Sequence, residues 1–114
     1  MRTFLNGVIA AALFGRAGKV RRRGRNEAAY AVLERTIARA NRARDPVRGA
    51  LVPLASEMMA ELAVAMGRPA AAEAVLHRAL REIESHANDS GWAENAPLLA
   101  CAQRMREQLV RLQT

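Results

Sequence analysis

Glu57 and Glu61 stand one helical turn apart, and two carboxylates on one helix face can share general acid and base work when their surroundings separate their pKa values. Nothing in the neighbouring residues supplies that separation, so both are expected to be ordinary exposed charges. The other chemically competent side chains are scattered. Cys101 is the sole cysteine, which rules out an intramolecular disulfide and a metal site built on thiolates. His77 and His86 lie nine apart, share no helix face and have no cysteine beside them, whereas zinc needs three or four converging ligands. No phosphate loop, Cys-x-x-Cys pair, dinucleotide fingerprint or Ser/His/Asp set occurs. The expectation is a protein that is not an enzyme and takes no cofactor or metal.

The densest chemistry is cationic. Arg16, Lys19, Arg21, Arg22, Arg23 and Arg25 form one basic patch beside an apolar run. Basic and apolar faces together suit an anionic membrane surface, and cations alone suit a phosphate backbone. The same patch suits a solvated helix end, where positive charge complements the macrodipole. No aromatic side chain interleaves the arginines, so base stacking lacks its partner and nucleic acid is not the expected ligand. The charge is lopsided: residues 1–48 hold 12 basic against 3 acidic side chains, and residues 49–114 hold 6 against 8. Of the 18 basic residues 17 are Arg, and 25 positions are Ala, a skew that GC-rich, bacterial-like coding produces by itself.

Helices must carry these side chains. A chain of 114 residues makes one domain, and its four aromatics and many alanines suit closely packed helices rather than a sandwich or barrel. Helical spacing predicts segments over residues 3–23, 26–43, about 50–66, 69–85 and about 93–112. The expected buried stripes are Leu5, Val8, Ile9, Ala12, Leu13 and Val20 in the first; Ala29, Leu33, Thr36, Ile37 and Ala40 in the second; Leu51, Leu54, Ala55, Met58, Met59, Leu62 and Met66 in the third. The fourth offers Ala72, Val75, Leu76, Ala79, Leu80 and Ile83, the fifth Leu98, Cys101, Ala102, Met105, Leu109 and Leu112. Asn26 is the expected N-cap of the second segment, Gly15 and Gly18 weaken the first while permitting close helix contact, and Trp92 is expected to pack across the loop before the fifth. The apolar run Phe4 to Phe14 is 11 residues, and a spanning helix needs about 20. Cleavage after Ala10-Ala11-Ala12 would leave a very short signal core and remove half a helix, so a cytoplasmic protein is expected, with membrane-peripheral contact left open.

Two stretches repeat each other 43 residues apart, Gly24-Arg25-Asn26-Glu27-Ala28-Ala29 and Gly67-Arg68-Pro69-Ala70-Ala71-Ala72, each opening an amphipathic helix. The spacing of Gly67, Ala72, Leu76 and Ala79, with Ala60 and Met59 before the turn, resembles the tetratricopeptide repeat in its longer-loop, kinesin-light-chain form. The copy at Gly24 follows with Ala17, Ala29 and Leu33 but departs at Arg16 and Thr36. The resemblance implies stacked antiparallel helix pairs: repeat one about 3–43, repeat two about 50–85 and a capping helix about 93–112. A simple five-helix bundle is the alternative. It also implies a non-enzymatic adaptor that presents a small groove to a protein or peptide. By position that groove holds Phe14, Arg21, Arg22, Glu57, Glu61, Val64, Gln103 and Arg106. The family's clamp for C-terminal carboxylates is not implied, because Phe14 and Gly18 stand where it needs Lys and Asn. Self-association, and an anionic membrane or polyanion held by residues 2–25, are the alternative partners.

Overall fold

The computed structural model describes residues 2–43, 47–85 and 96–114. Nine in ten of these residues are helical and none lies in a strand, so the fold is all-α. The helices are α1 (Arg2–Arg22), α2 (Asn26–Ala40), α3 (Val47–Ala65), α4 (Pro69–Ser85) and α5 (Ala96–Gln113). Helix α3 is the hub: it packs against each of the other four, α1 pairs with α2, and α4 also meets α5. Helices α1, α3 and α5 thus lie side by side, with α2 and α4 behind them. The shortest extent of the molecule, 18 Å, matches two helix layers.

The two Gly-Arg turns close alike. The Arg25 N–H donates to the Val20 carbonyl (3.3 Å) and the Gly24 N–H to that of Arg21 (2.9 Å). At the second turn the Arg68 N–H donates to Ala63 (2.8 Å) and the Gly67 N–H to Val64 (3.0 Å). Both are Schellman caps, which need a left-handed residue, and the glycines supply it at φ +76° and +73°. Each arginine is then the N-cap of the next helix, its carbonyl accepting from Ala29 or Ala72. Asn26 is therefore not the cap. It is the first helical residue, the place that Pro69 takes in the second turn, where a missing N–H costs nothing.

Boundaries shift where capping differs from the sequence pattern. Helix α2 stops at Ala40, and Arg42 and Ala43 close a tight turn onto the Arg39 and Ala40 carbonyls. Helix α3 starts at Val47, runs through Gly49 and accommodates Pro53 in its interior. The carbonyl that a proline ring crowds belongs to the residue four before it, here Gly49. Trp92, His86 and the expected start of the fifth helix at residue 93 lie outside the described residues.

The core is small-sided and falls into two larger clusters and a smaller one of Ala10, Ala40 and Val52. One part joins Ala60 and Ala63 to Leu76, Leu80 and Ile83 of α4 and to Leu98, Cys101, Met105 and Leu109 of α5. The other joins Ala17, Ala29, Leu33, Met59, Leu62 and Val75. Leu33, Leu62 and Leu76 are fully buried, each worth about 1.5–3 kcal/mol of transfer free energy. Thr36 is buried as well, its hydroxyl donating to the Val32 carbonyl (2.9 Å). The stripe of α4 is buried as its spacing predicts, and that of α5 too except half-buried Leu112. Helix α2 adds buried Val32 and leaves Ile37 half-buried, and in α3 Leu54 is turned out while Val52, Ser56, Ala60 and Ala63 are enclosed.

Helix α1 corrects the sequence reading most. Its enclosed residues are Gly7, Ala10 and Ala17, which bring α1 close to α2 because they are small. Leu5, Val8 and Ala12, expected inside, are exposed, and Phe4 is 76% exposed. Gly15 and Gly18 are not contact glycines either. A Cβ on Gly15 would meet nothing, and one on Gly18 would meet only the Arg22 side chain at 3.4 Å.

Candidate functional site

The outward face of α3 runs through Leu54, Glu57, Glu61 and Val64, spaced three and four apart so that they share one side of the helix. Neighbouring helices claim both carboxylates. Arg21, near the end of α1, donates from Nη2 to Glu61 Oε2 at 2.8 Å. Arg104 of α5 grips Glu57 with two bonds, Nε to Oε2 at 2.7 Å and Nη2 to Oε1 at 3.0 Å. The two glutamates, one turn apart, thus tie α3 to α1 on one side and to α5 on the other. A fork-to-carboxylate pair is the geometry for which Arg is suited and Lys is not.

Cys101 lies one turn before Arg104, with its Sγ 3.8 Å from Glu57 Oε1. Burial pushes its thiol up to about 11, and the Glu57 charge adds to the rise. Glu57 in turn holds the Arg104 guanidinium above its ordinary range, chiefly through their hydrogen bonds. The thiol is therefore a poor nucleophile at neutral pH, since the thiolate is the reactive form. Beside this cluster, Gly49, Pro53, Leu54, Pro97, Leu98 and Cys101 line an apolar cleft of about 230 Å³ between the N-terminal parts of α3 and α5. It is large enough for one or two apolar side chains.

Of the residues expected in the groove, Arg21, Glu57, Glu61 and Val64 share this face, Val64 being 42% exposed. Phe14 is half-buried and packs into the core instead. Arg22 follows Arg21 by one residue, about a hundred degrees around the helix, and is exposed, with its guanidinium beside Gly18. On α5 the predicted register is off by one or two residues. Gln103 bonds to Glu107 on its own helix (3.3 Å) and Arg106 approaches Glu84 of α4 (3.8 Å), while Arg104 meets α3. The missed signal was the i, i+3 relation of Arg104 to Cys101, which puts it on the edge of the buried stripe.

Of the basic patch, only Arg21 has an ion-pair partner among the described residues; Arg16, Lys19, Arg22, Arg23 and Arg25 are exposed and unpaired. A further hollow, of about 520 Å³, lies on the opposite side, where α2 and α4 stand apart over a floor of Val52, Ser56 and Met59. Its walls include Tyr30, Glu34 and Arg78. No group of three His, Cys, Asp or Glu side chains able to hold a metal occurs among the described residues, and His77 is exposed and isolated. No helix there is long and apolar enough to cross a membrane.

Comparison with family models, curated proteins and solved structures gives no match.

Proposed function

We propose that the protein is a non-enzymatic interaction module that receives a peptide or helix of a partner protein across the α1/α3/α5 face. One observation carries this reading: on α3 two glutamate–arginine pairs bridge three helices beside an apolar cleft. A partner side chain can fill the cleft, and partner charges can exchange with pairs that already sit at the surface. The tetratricopeptide resemblance supports the same reading, because that family binds along the surface lined by alternate helices. Catalysis has weaker support. Arg104 occupies both Glu57 oxygens, Arg21 holds Glu61, and the Cys101 thiol is protonated at neutral pH.

Affinity capture with the whole chain tests the reading. Arg21→Glu and Glu61→Arg should each reduce recovery of a specific protein while the helical circular-dichroism signal persists. Unchanged recovery by both folded variants would sink it.

A second reading, binding of an anionic membrane or polyanion through residues 2–25, is favoured by the outer face of α1, where exposed Phe4, Leu5 and Val8 precede exposed cations. Sedimentation with anionic vesicles at low and high salt checks it, and no binding at low salt removes it.

A further inference from the structure

The two turns set up a correspondence of 43 residues that extends back into the helices before them. In α3, Ala55, Met59 and Leu62 are buried against Ala29, Val32 and Leu33 of α2, with Leu51 and Met66 half-buried at the two ends of the same stripe. The corresponding residues of α1 and the turn that closes it are Val8, Ala12, Arg16, Lys19 and Arg23, and all are exposed. The N-terminal half of this stripe keeps the apolar character it has in α3. In the C-terminal half each large apolar side chain is replaced by a cation. No acid occurs before Glu27, so nothing within α1 answers these charges.

The way α2 covers α3 also shows how a helix would cover α1. Helix α2 lies antiparallel on α3, its C-terminal Ala40 against Val52 and its first-turn Glu27 paired with Arg68 beyond the end of α3. The residue corresponding to Arg68 is Arg25, which has no ion-pair partner among the described residues.

We infer that the outer face of α1 docks an amphipathic helix of a partner protein, antiparallel to α1, with acidic residues in its first turns and an apolar stripe in its later ones. The acidic turns face Arg16, Lys19 and Arg23, a first-turn carboxylate reaches Arg25 as Glu27 reaches Arg68, and the apolar turns cover Val8 and Ala12. Acids at a helix N-terminus also complement its macrodipole, so the demanded sequence is itself a favourable helix. This inference rests on the interaction-module reading and names a second surface and its partner class. It favours a helix over a membrane because the surface has a helix-covered counterpart within the same molecule.

Fluorescence anisotropy with the full chain tests it, using two labelled synthetic peptides of about 18 residues, or five turns, and identical composition. One carries its glutamates in the first two turns and the other in the last two. The acid-first peptide should bind at least about tenfold more tightly, and Arg16→Glu with Lys19→Glu should weaken it by about the same factor. Arg25→Glu should weaken it less, and Glu61→Arg, which disrupts the α3 face, should leave it unchanged. Equal binding of the two peptides, or no binding of either, overturns the inference. So does loss of peptide binding with Glu61→Arg but not with the α1 variants. Attachment to anionic vesicles that the acid-first peptide fails to compete, or a dimer in light scattering that buries this face, assigns the surface to a membrane or to a second copy and overturns it equally.

Discussion

Helices α1 and α3 start from the same plan and end in different surroundings. Both close on a Schellman glycine, both bury an alanine seven residues before it, Ala17 and Ala60, and both are followed by a helix with matching buried positions, except that Leu80 is buried where Ile37 is half-buried. Yet α3 packs against four helices, while among the described residues α1 packs only against α2 and α3. The side chains follow that difference: Met59, Leu62 and the closing Met66 of the enclosed helix give way to Arg16, Lys19 and the closing Arg23 of the edge helix. Charges at an exposed edge keep it solvated and disfavour non-specific association. The apolar half of the α1 stripe, Val8 and Ala12, is exposed without such charges.

Exchanging residues between the two helices breaks the comparison most severely. Leu62→Lys places an ammonium at a site 1% exposed and should cost about 4 kcal/mol or more, enough to unfold a domain of ordinary stability in mild denaturant. The reciprocal Lys19→Leu should change stability by no more than about 0.5 kcal/mol, because that side chain is exposed and unpaired. Urea titration followed by circular dichroism reads both. Equal losses would show that the α1 stripe is as covered as that of α3.

The turns should respond as a matched pair. Gly24→Ala and Gly67→Ala each force a Cβ into the left-handed region and should cost about 1–2 kcal/mol in the same titration. In the edge helix the sign reverses: Gly15→Ala adds a Cβ in open space at a helical position and should stabilise by about 0.5–1 kcal/mol.

A specific chemical effect, seen only at alkaline pH, comes from Cys101 on the side of α3 closed by α5. Its raised pKa means that the folded protein keeps a proton the unfolded chain releases, so its contribution is complete below pH 9 and is lost as pH rises towards 11. At pH 8 native alkylation should be about a hundredfold slower than in denaturant, the ratio of thiolate populations.

Much of the fold was legible because α2, α4 and α5 are clearly two-sided, and their apolar positions at 3.6-residue spacing name the buried stripe directly. Helix α1 was not legible in the same way. It is apolar on two faces, and the face that packs is chosen by the close approach that Gly7, Ala10 and Ala17 permit, not by the larger Leu5 and Val8. The α3 carboxylates were visible in sequence, but their arginine partners lie 40 and 47 residues away and depend on how helices rotate about their axes. Helix α5 shows the consequence: with no glycine turn to fix its register, the sequence pattern points to Gln103 and Arg106 where packing presents Arg104 to α3. The hollow between α2 and α4 had no local sequence signal at all, since it exists only because two helices distant in sequence stand apart.

The most direct test of the account is photo-crosslinking in cells from single positions of the full chain: Ala12 on the bare α1 stripe, Val64 on the α3 face, and Ala31 on the exposed side of α2 as the control. The account predicts discrete protein adducts from Ala12 and Val64, the Ala12 adduct mapping to an acidic amphipathic helix, and only background from Ala31. Adducts no stronger at Ala12 and Val64 than at Ala31 would contradict it.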